Sequence, residues 1–130
     1  MALVDWYVCA SMQDFTKLKM WRKAHDLALE VYRFTHGFPK QELYALTRQM
    51  RRSATSIPTN IAEGCGRNSP GDFKRFLAIA SGSASELEYQ LLLARDLQLL
   101  PRGVYEELRK RTREVKRMIS GFSKKLTTDN

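Results

Sequence analysis

The chain is short of the residues on which enzyme chemistry and covalent scaffolds are built. Its 130 residues include two cysteines and two histidines. Cys9 and Cys65 have no CxxC spacing and make no disulfide framework, so they are read as reduced thiols in a cytoplasmic protein. His25 and His36 stand in no Glu-x-x-His pair, which excludes the di-iron type of helical bundle. GxGxxG, Walker, HExxH and nucleophile-elbow patterns are missing as well. Cys65, between Gly64 and Gly66 and near Arg67, has surroundings that can lower a thiol pKa. No base is identified beside it, so its role is read as structural. The expectation is a protein with no catalytic residues, no metal and no cofactor. No apolar run reaches roughly 18 residues, so neither a transmembrane span nor a membrane partner is expected. Four prolines and seven glycines fall mostly between periodic segments, and no strand pattern is convincing.

What the chain does have is helical periodicity. From Phe73 the apolar positions Leu77, Ala80, Ala84, Leu87, Leu91 and Ala94 repeat at alternating steps of 4 and 3. This is a heptad-like seam on one long helix, predicted over 70–99. Ser69 can cap it, Pro70 suits its first position, and Asp72 completes a capping-box variant. In its middle lie six small residues, Ala80 to Ser85, which let another backbone come close. A first helix is predicted over 18–36, with Met20, Ala24, Leu27, Val31 and Phe34 inward and Trp21, Ala28 and Tyr32 widening that face. A second is predicted over 40–63, with Leu43, Leu46, Met50, Ala54, Ile57 and Ile61 inward and Gly64 as its C′ residue. Pro58 falls inside it. The apolar pattern keeps phase across Pro58, so a kink is preferred to two shorter helices, with Ser53, Thr55 and Thr59 near the freed backbone. A fourth helix spans 102–126, carrying Leu108, Thr112, Val115, Ile119, Phe122 and Leu126.

Short connections favour antiparallel neighbours, so the expected architecture is an all-α, up-down-up-down four-helix bundle with a kinked second helix. The third helix is long and the first short, which predicts that part of the third is uncovered in one chain and that further copies complete its burial. The domain is read as 14–126, with 127–130 a frayed tail. Residues 1–13 are read as an extension, disordered or not native. The opening decapeptide has no basic n-region and is interrupted by Asp5, which makes it a poor signal peptide, and Met12 is a candidate natural start.

Acidic residues are outnumbered, 14 against 22 Lys and Arg, for a net charge of +8. That favours an acidic partner, nucleic acid first and an anionic membrane surface second, with a solubilising surface as the bland alternative. Arg48, Arg51 and Arg52 occur in a stretch without acids. The fourth helix carries nine basic residues against three acidic ones, a balance of +6. On it Arg109, Arg113 and Lys116 form a ridge beside Arg117. Such cations suit a phosphate backbone and supply affinity without sequence reading. Pairing the second and third helices across the 64–69 turn puts Arg48 opposite Glu86, with Arg51 within a turn. An ion pair of Glu86, joined by Glu88, with these arginines, inside or between bundles, would fix register.

Three motifs then carry a resemblance. They are Phe15-x-x-Leu18-x-x-Trp21-x-x-Ala24-His25, the segment Ser56-Ile57-Pro58-x-Asn60-Ile61-Ala62-Glu63-Gly64-x-Gly66-Arg67, and Phe73-x-x-Phe76-Leu77-x-Ile79-Ala80-x-Gly82-Ser83-x-x-Glu86-Leu87-Glu88. Together they resemble the bacterial four-helix-bundle proteins encoded in intervening sequences of 23S rRNA genes, over about residues 14–126. The resemblance implies an antiparallel bundle assembling as a ring, typically a homopentamer. Pro58, Glu63, Gly64, Gly66, Arg67, Gly82 and Glu86 are the candidate structural or assembly positions. It implies no catalytic residue. A distant relative is the accessory protein of diversity-generating retroelements, a basic pentamer that works with nucleic acid. The functional expectation is a non-enzymatic ring that binds RNA or DNA through backbone phosphates. The alternative is a protein–protein adaptor that binds no nucleic acid.

Overall fold

The computed structural model describes residues 14–126, and within them the backbone alone at 41–43. The expectations for residues 1–13, for the tail and for the Leu43 side chain lie outside the described residues. A 3₁₀ turn at Phe15–Lys17 leads into four helices: α1 (Lys19–Thr35), α2 (Lys40–Cys65), α3 (Pro70–Asp96) and α4 (Arg102–Lys125). No strand occurs among the described residues, so the fold is all-α.

The predicted seams form the core. Ala24, Leu27 and Val31 of α1, Met50, Ala54, Ile57 and Ile61 of α2, and Leu108, Thr112 and Val115 of α4 are buried. They meet the α3 seam from Phe73 to Ala94, which is buried along its whole length. Each helix contributes a stripe at 3- and 4-residue spacing because only that spacing keeps one face turned to its neighbours. Tyr32 departs from expectation: it lies at the edge of the α1 face, 44% exposed.

Helices α1 and α3 each pack against both α2 and α4, which gives a four-helix bundle. The α2 and α3 helices run in opposite senses, since Ser56 Oγ and Ser83 Oγ are 2.7 Å apart while Gly64 lies beside Phe73. The α3 and α4 helices do the same, with Glu88 bonded to Arg113 and Phe73 packed on Phe122. The Ser56–Ser83 contact corrects the expected register. Stepping eight residues along each helix from that pair brings Leu91, not Glu86, level with Arg48. The expected mismatch of lengths is present, with 17 residues in α1 against 27 in α3. The expectation that it leaves part of the α3 seam uncovered is corrected: α2 and α4, at 26 and 24 residues, nearly match α3, and its seam is buried inside one chain. The inner part of the small-residue run, Ala80, Ser83 and Ala84, is buried there.

Helix ends follow local chemistry. Ser69 Oγ accepts the Asp72 backbone N–H at 3.1 Å, and Pro70 occupies the first turn. The Asp72 carboxylate faces Arg75 at 3.7 Å. α3 ends at Asp96, short of the predicted boundary. Gln98 takes a left-handed φ of 61°, its N–H bonds the Arg95 carbonyl, and the Leu99 N–H bonds that of Ala94. This is a Schellman stop without the usual glycine. α2 continues through Pro58 as one helix to Cys65. Thr55 donates its hydroxyl to the Arg51 carbonyl and Asn60 its amide to that of Ser56, so Thr55 does not serve the Ala54 carbonyl freed by Pro58.

Two glycine and cysteine readings need correction. Gly64 is not the C′ residue: it lies in the last turn of α2, and the cap, Gly66, has an ordinary φ of −82°. Gly64 is there for close packing against α3. Cys65 is not a reduced thiol, being buried and disulfide-bonded. A sulfur so engaged is no nucleophile. Sequence spacing could not show this, because a disulfide depends on proximity in the fold.

Candidate nucleic-acid interface

The seven basic residues singled out from the sequence fall on two flanks of the bundle. Arg48, Arg51 and Arg52 line an open groove of about 760 Å³ between the end of α1 and the first half of α2. Arg109, Arg113, Lys116 and Arg117 lie on α4, where Arg113 and Lys116 border α3. Helices α2 and α4 flank α1 and α3 on opposite sides of the bundle, so the two sets do not merge into one surface.

The two flanks differ in their counter-charges. On the α4 ridge, Arg113 Nε donates to Glu88 Oε2 at 2.8 Å, and Lys116 Nζ stands 3.5 Å from Glu88 Oε1. The hydrogen bond from Arg113 holds the Glu88 carboxyl below its ordinary pKa, and the charges of Arg113 and Lys116 add to this. Two of the four ridge cations thus share one anion already supplied by the chain.

In the groove no described lining residue is acidic. Among the described residues, none of Arg48, Arg51 and Arg52 has a carboxylate within ion-pair distance. Lys40 and His36 lie in the same wall. Arg51 is held by neutral partners: its Nε donates to Thr35 Oγ1 at 2.9 Å and its Nη2 to the Tyr32 carbonyl at 3.4 Å. Thr35 is buried, and its hydroxyl donates to the Val31 carbonyl at 2.7 Å. This chain of bonds orients the guanidinium and, among the described residues, sets no carboxylate against its charge. The Arg51 guanidinium also stacks 4.5 Å from the Tyr32 ring centroid, and that of Arg48 lies 5.5 Å from the Tyr44 ring.

Tyr32, Tyr44, Thr35 and Lys40 were not among the site residues read from the sequence. A signal existed for Tyr44, which precedes Arg48 by one helical turn and so shares its face. The Thr35–Arg51 bond crosses between helices and leaves no local trace. Glu86 is exposed, and no ion pair joins it to Arg48 or Arg51 within the chain. Glu63 and Arg67 form an ion pair at 3.0 Å across one turn, and Arg67 covers the Phe76 ring. They brace the α2–α3 corner. On the outer side of α3, Ala78, Ile79, Gly82, Ser85, Glu86 and Tyr89 form an exposed face. No helix among the described residues is long and apolar enough to cross a membrane. Among the same residues no cluster of His, Cys, Asp and Glu is placed to hold a metal ion.

Residues 16–121 match the family model described as 23S rRNA-intervening sequence protein. Among solved structures, the chain is similar to a protein of unknown function from the S23 ribosomal protein family of Bacteroides thetaiotaomicron VPI-5482. The two are 29% identical, the match covers 81% of this chain and 98% of that one, and the TM-score is 0.74. No functionally curated protein matches.

Proposed function

The chain belongs to the 23S rRNA-intervening sequence protein family, and on that premise we propose that it is a non-enzymatic, self-assembling helical bundle that binds RNA or DNA through backbone phosphates. The observation that carries the proposal is the set Arg48, Arg51 and Arg52, clustered in one groove with no acidic partner among the described residues. Arginines left without counter-ions in a folded chain attract external anions, and a polyanion satisfies several at once. Arg109 and Arg117 on the other flank extend the positive field. The cytoplasmic setting rests on the nucleic-acid partner alone, since the disulfide at Cys65 removes the reduced-thiol argument for it.

Self-assembly rests on the outer face of α3, where Ile79 is 44% and Tyr89 61% exposed beside Gly82 and Ser85. The family resemblance makes a ring of five the expected product. Binding without sequence reading predicts that log affinity falls linearly with log salt, with a slope set by the phosphates neutralised. Size exclusion with light scattering, with and without an RNA mixture at two salt concentrations, reads mass and binding together. Affinity that barely responds to salt rules out the phosphate mechanism. The exposed α3 face also supports the adaptor reading, in which an assembled protein retains no nucleic acid at physiological salt.

A further inference from the structure

Resting on the nucleic-acid reading above, we propose that the α1–α2 groove is the contact site and that its ligand is single-stranded RNA, with phosphates on Arg48, Arg51 and Arg52 and an unpaired base on the Tyr44 ring. Charge selects the flank. The α4 ridge holds the Glu88 carboxylate, which repels phosphate and already engages Arg113 and Lys116. The groove has four cationic side chains, counting Lys40, and no acid among its described lining residues.

The aromatic rings select the strandedness. Tyr44 is 62% exposed and Tyr32 44% exposed, both on the groove wall. A half-exposed ring beside an arginine offers a stacking surface to a free base, and a duplex has its base faces already stacked. Each ring also lies against its own arginine, Tyr32 at 4.5 Å and Tyr44 at 5.5 Å, so a base on the ring and a phosphate on the arginine are neighbours on the same wall. Thr47 and Gln49 line that wall too. Their hydroxyl and amide groups can bond a ribose 2′-hydroxyl, which a DNA strand lacks.

The test uses the full chain and fluorescence anisotropy against a labelled mixed-sequence RNA strand of about 12 nucleotides, its duplex, and the DNA strand of the same sequence. The single RNA strand binds at least about tenfold tighter than the duplex. The exposed pair Arg48→Gln with Arg52→Gln weakens binding and flattens the salt slope by about 1.4, for two fewer contacts on a single strand. Tyr44→Leu keeps an apolar side chain, lowers affinity at least about fivefold, and leaves the salt slope unchanged. Arg109→Gln with Arg117→Gln has the smaller effect. If that ridge pair abolishes binding while the groove variants retain it, the groove is overturned and nucleic-acid binding itself stands. Duplex preferred over single strand overturns the stacking assignment, and DNA bound as tightly as RNA overturns the assignment to RNA. Groove variants that change the assembled mass and keep full RNA affinity make the groove an interface between copies and overturn the proposal. No binding of any probe by the wild-type chain overturns this proposal and the broader reading together.

Discussion

Gly64 and Phe73 approach so closely that a Cβ on Gly64 would stand 2.7 Å from Phe73 Cδ1 and 2.9 Å from the Phe76 Cβ. Phe73 is fully buried and packs against Phe122 at 5.4 Å between ring centroids, so its ring has no free space to turn into. The Phe76 Cβ is tied to the α3 backbone. Gly64→Ala therefore forces the α2–α3 corner apart. The expected loss is about 1–3 kcal/mol, the usual range for overpacking a filled core. Urea unfolding checks it, with Gly66→Ala as the control, because a Cβ there meets nothing closer than 3.7 Å.

Gln98 occupies the left-handed position that ends α3. A side chain at such a φ costs about 1–2 kcal/mol, from which glycine is free. Glycine also loses more freedom on folding, so Gln98→Gly should stabilise by about 0.5–1 kcal/mol. A rise in the thermal midpoint of a few degrees is the expected reading. A fall would mean that the Gln98 side chain contributes more than its backbone strain costs.

Glu88 links α3 to two cations of α4, and its carboxyl is held below the ordinary value of 4.5. A carboxyl whose folded pKa is lowered adds stability above its unfolded pKa and loses it as the pH falls through the folded value. Glu88→Gln should thus cost about 1 kcal/mol at neutral pH, discounted for the half-exposed Arg113 partner. The gap between wild type and variant should shrink as the pH falls below the ordinary 4.5 and close only below the lowered folded value, where both states bind the proton. Denaturation at pH 7 and again in acid tests this, and a gap that persists in acid would assign the loss to packing.

Much of this fold was legible in the sequence, for reasons tied to particular residues. Ala24, Leu27 and Val31, or Ala80, Ala84 and Leu87, could be placed because burial on a helix imposes a local period. The Ser69 cap was legible because its partner is three residues away. The stop at Gln98 was not, since its residue type gives no hint of a left-handed turn. Gly64 was misread because a glycine after an apolar run suits a C′ position as well as a close crossing, and only Phe73 distinguishes the two. At the site, the arginines were visible as charge, but their grouping was not. Thr35 holds Arg51, and Glu88 takes Arg113 and Lys116, through contacts between helices that helical spacing does not encode.

Gly82 decides whether the outer face of α3 is an interface. It lies mid-helix and exposed, and a Cβ added there meets nothing within 4 Å. Glycine at such a position costs about 0.5–1 kcal/mol relative to alanine. No contact among the described residues repays that cost, whereas close packing of a second copy against Ala78, Gly82 and Ser85 would. The two possibilities predict opposite results. If the face is open in solution, Gly82→Ala raises the melting temperature and Gly82→Arg leaves the molecular mass unchanged. If copies pack there, Gly82→Arg drives an aliphatic stem and a charge into the contact, and the assembly falls to the 15.0 kDa of the single chain with its helical circular dichroism intact. We expect the second outcome, because Ile79 and Tyr89 flank the glycine and are left half bare by the chain's own helices. Light scattering on wild type and Gly82→Arg at equal concentration makes the comparison. An unchanged assembled mass would remove this face from the interface.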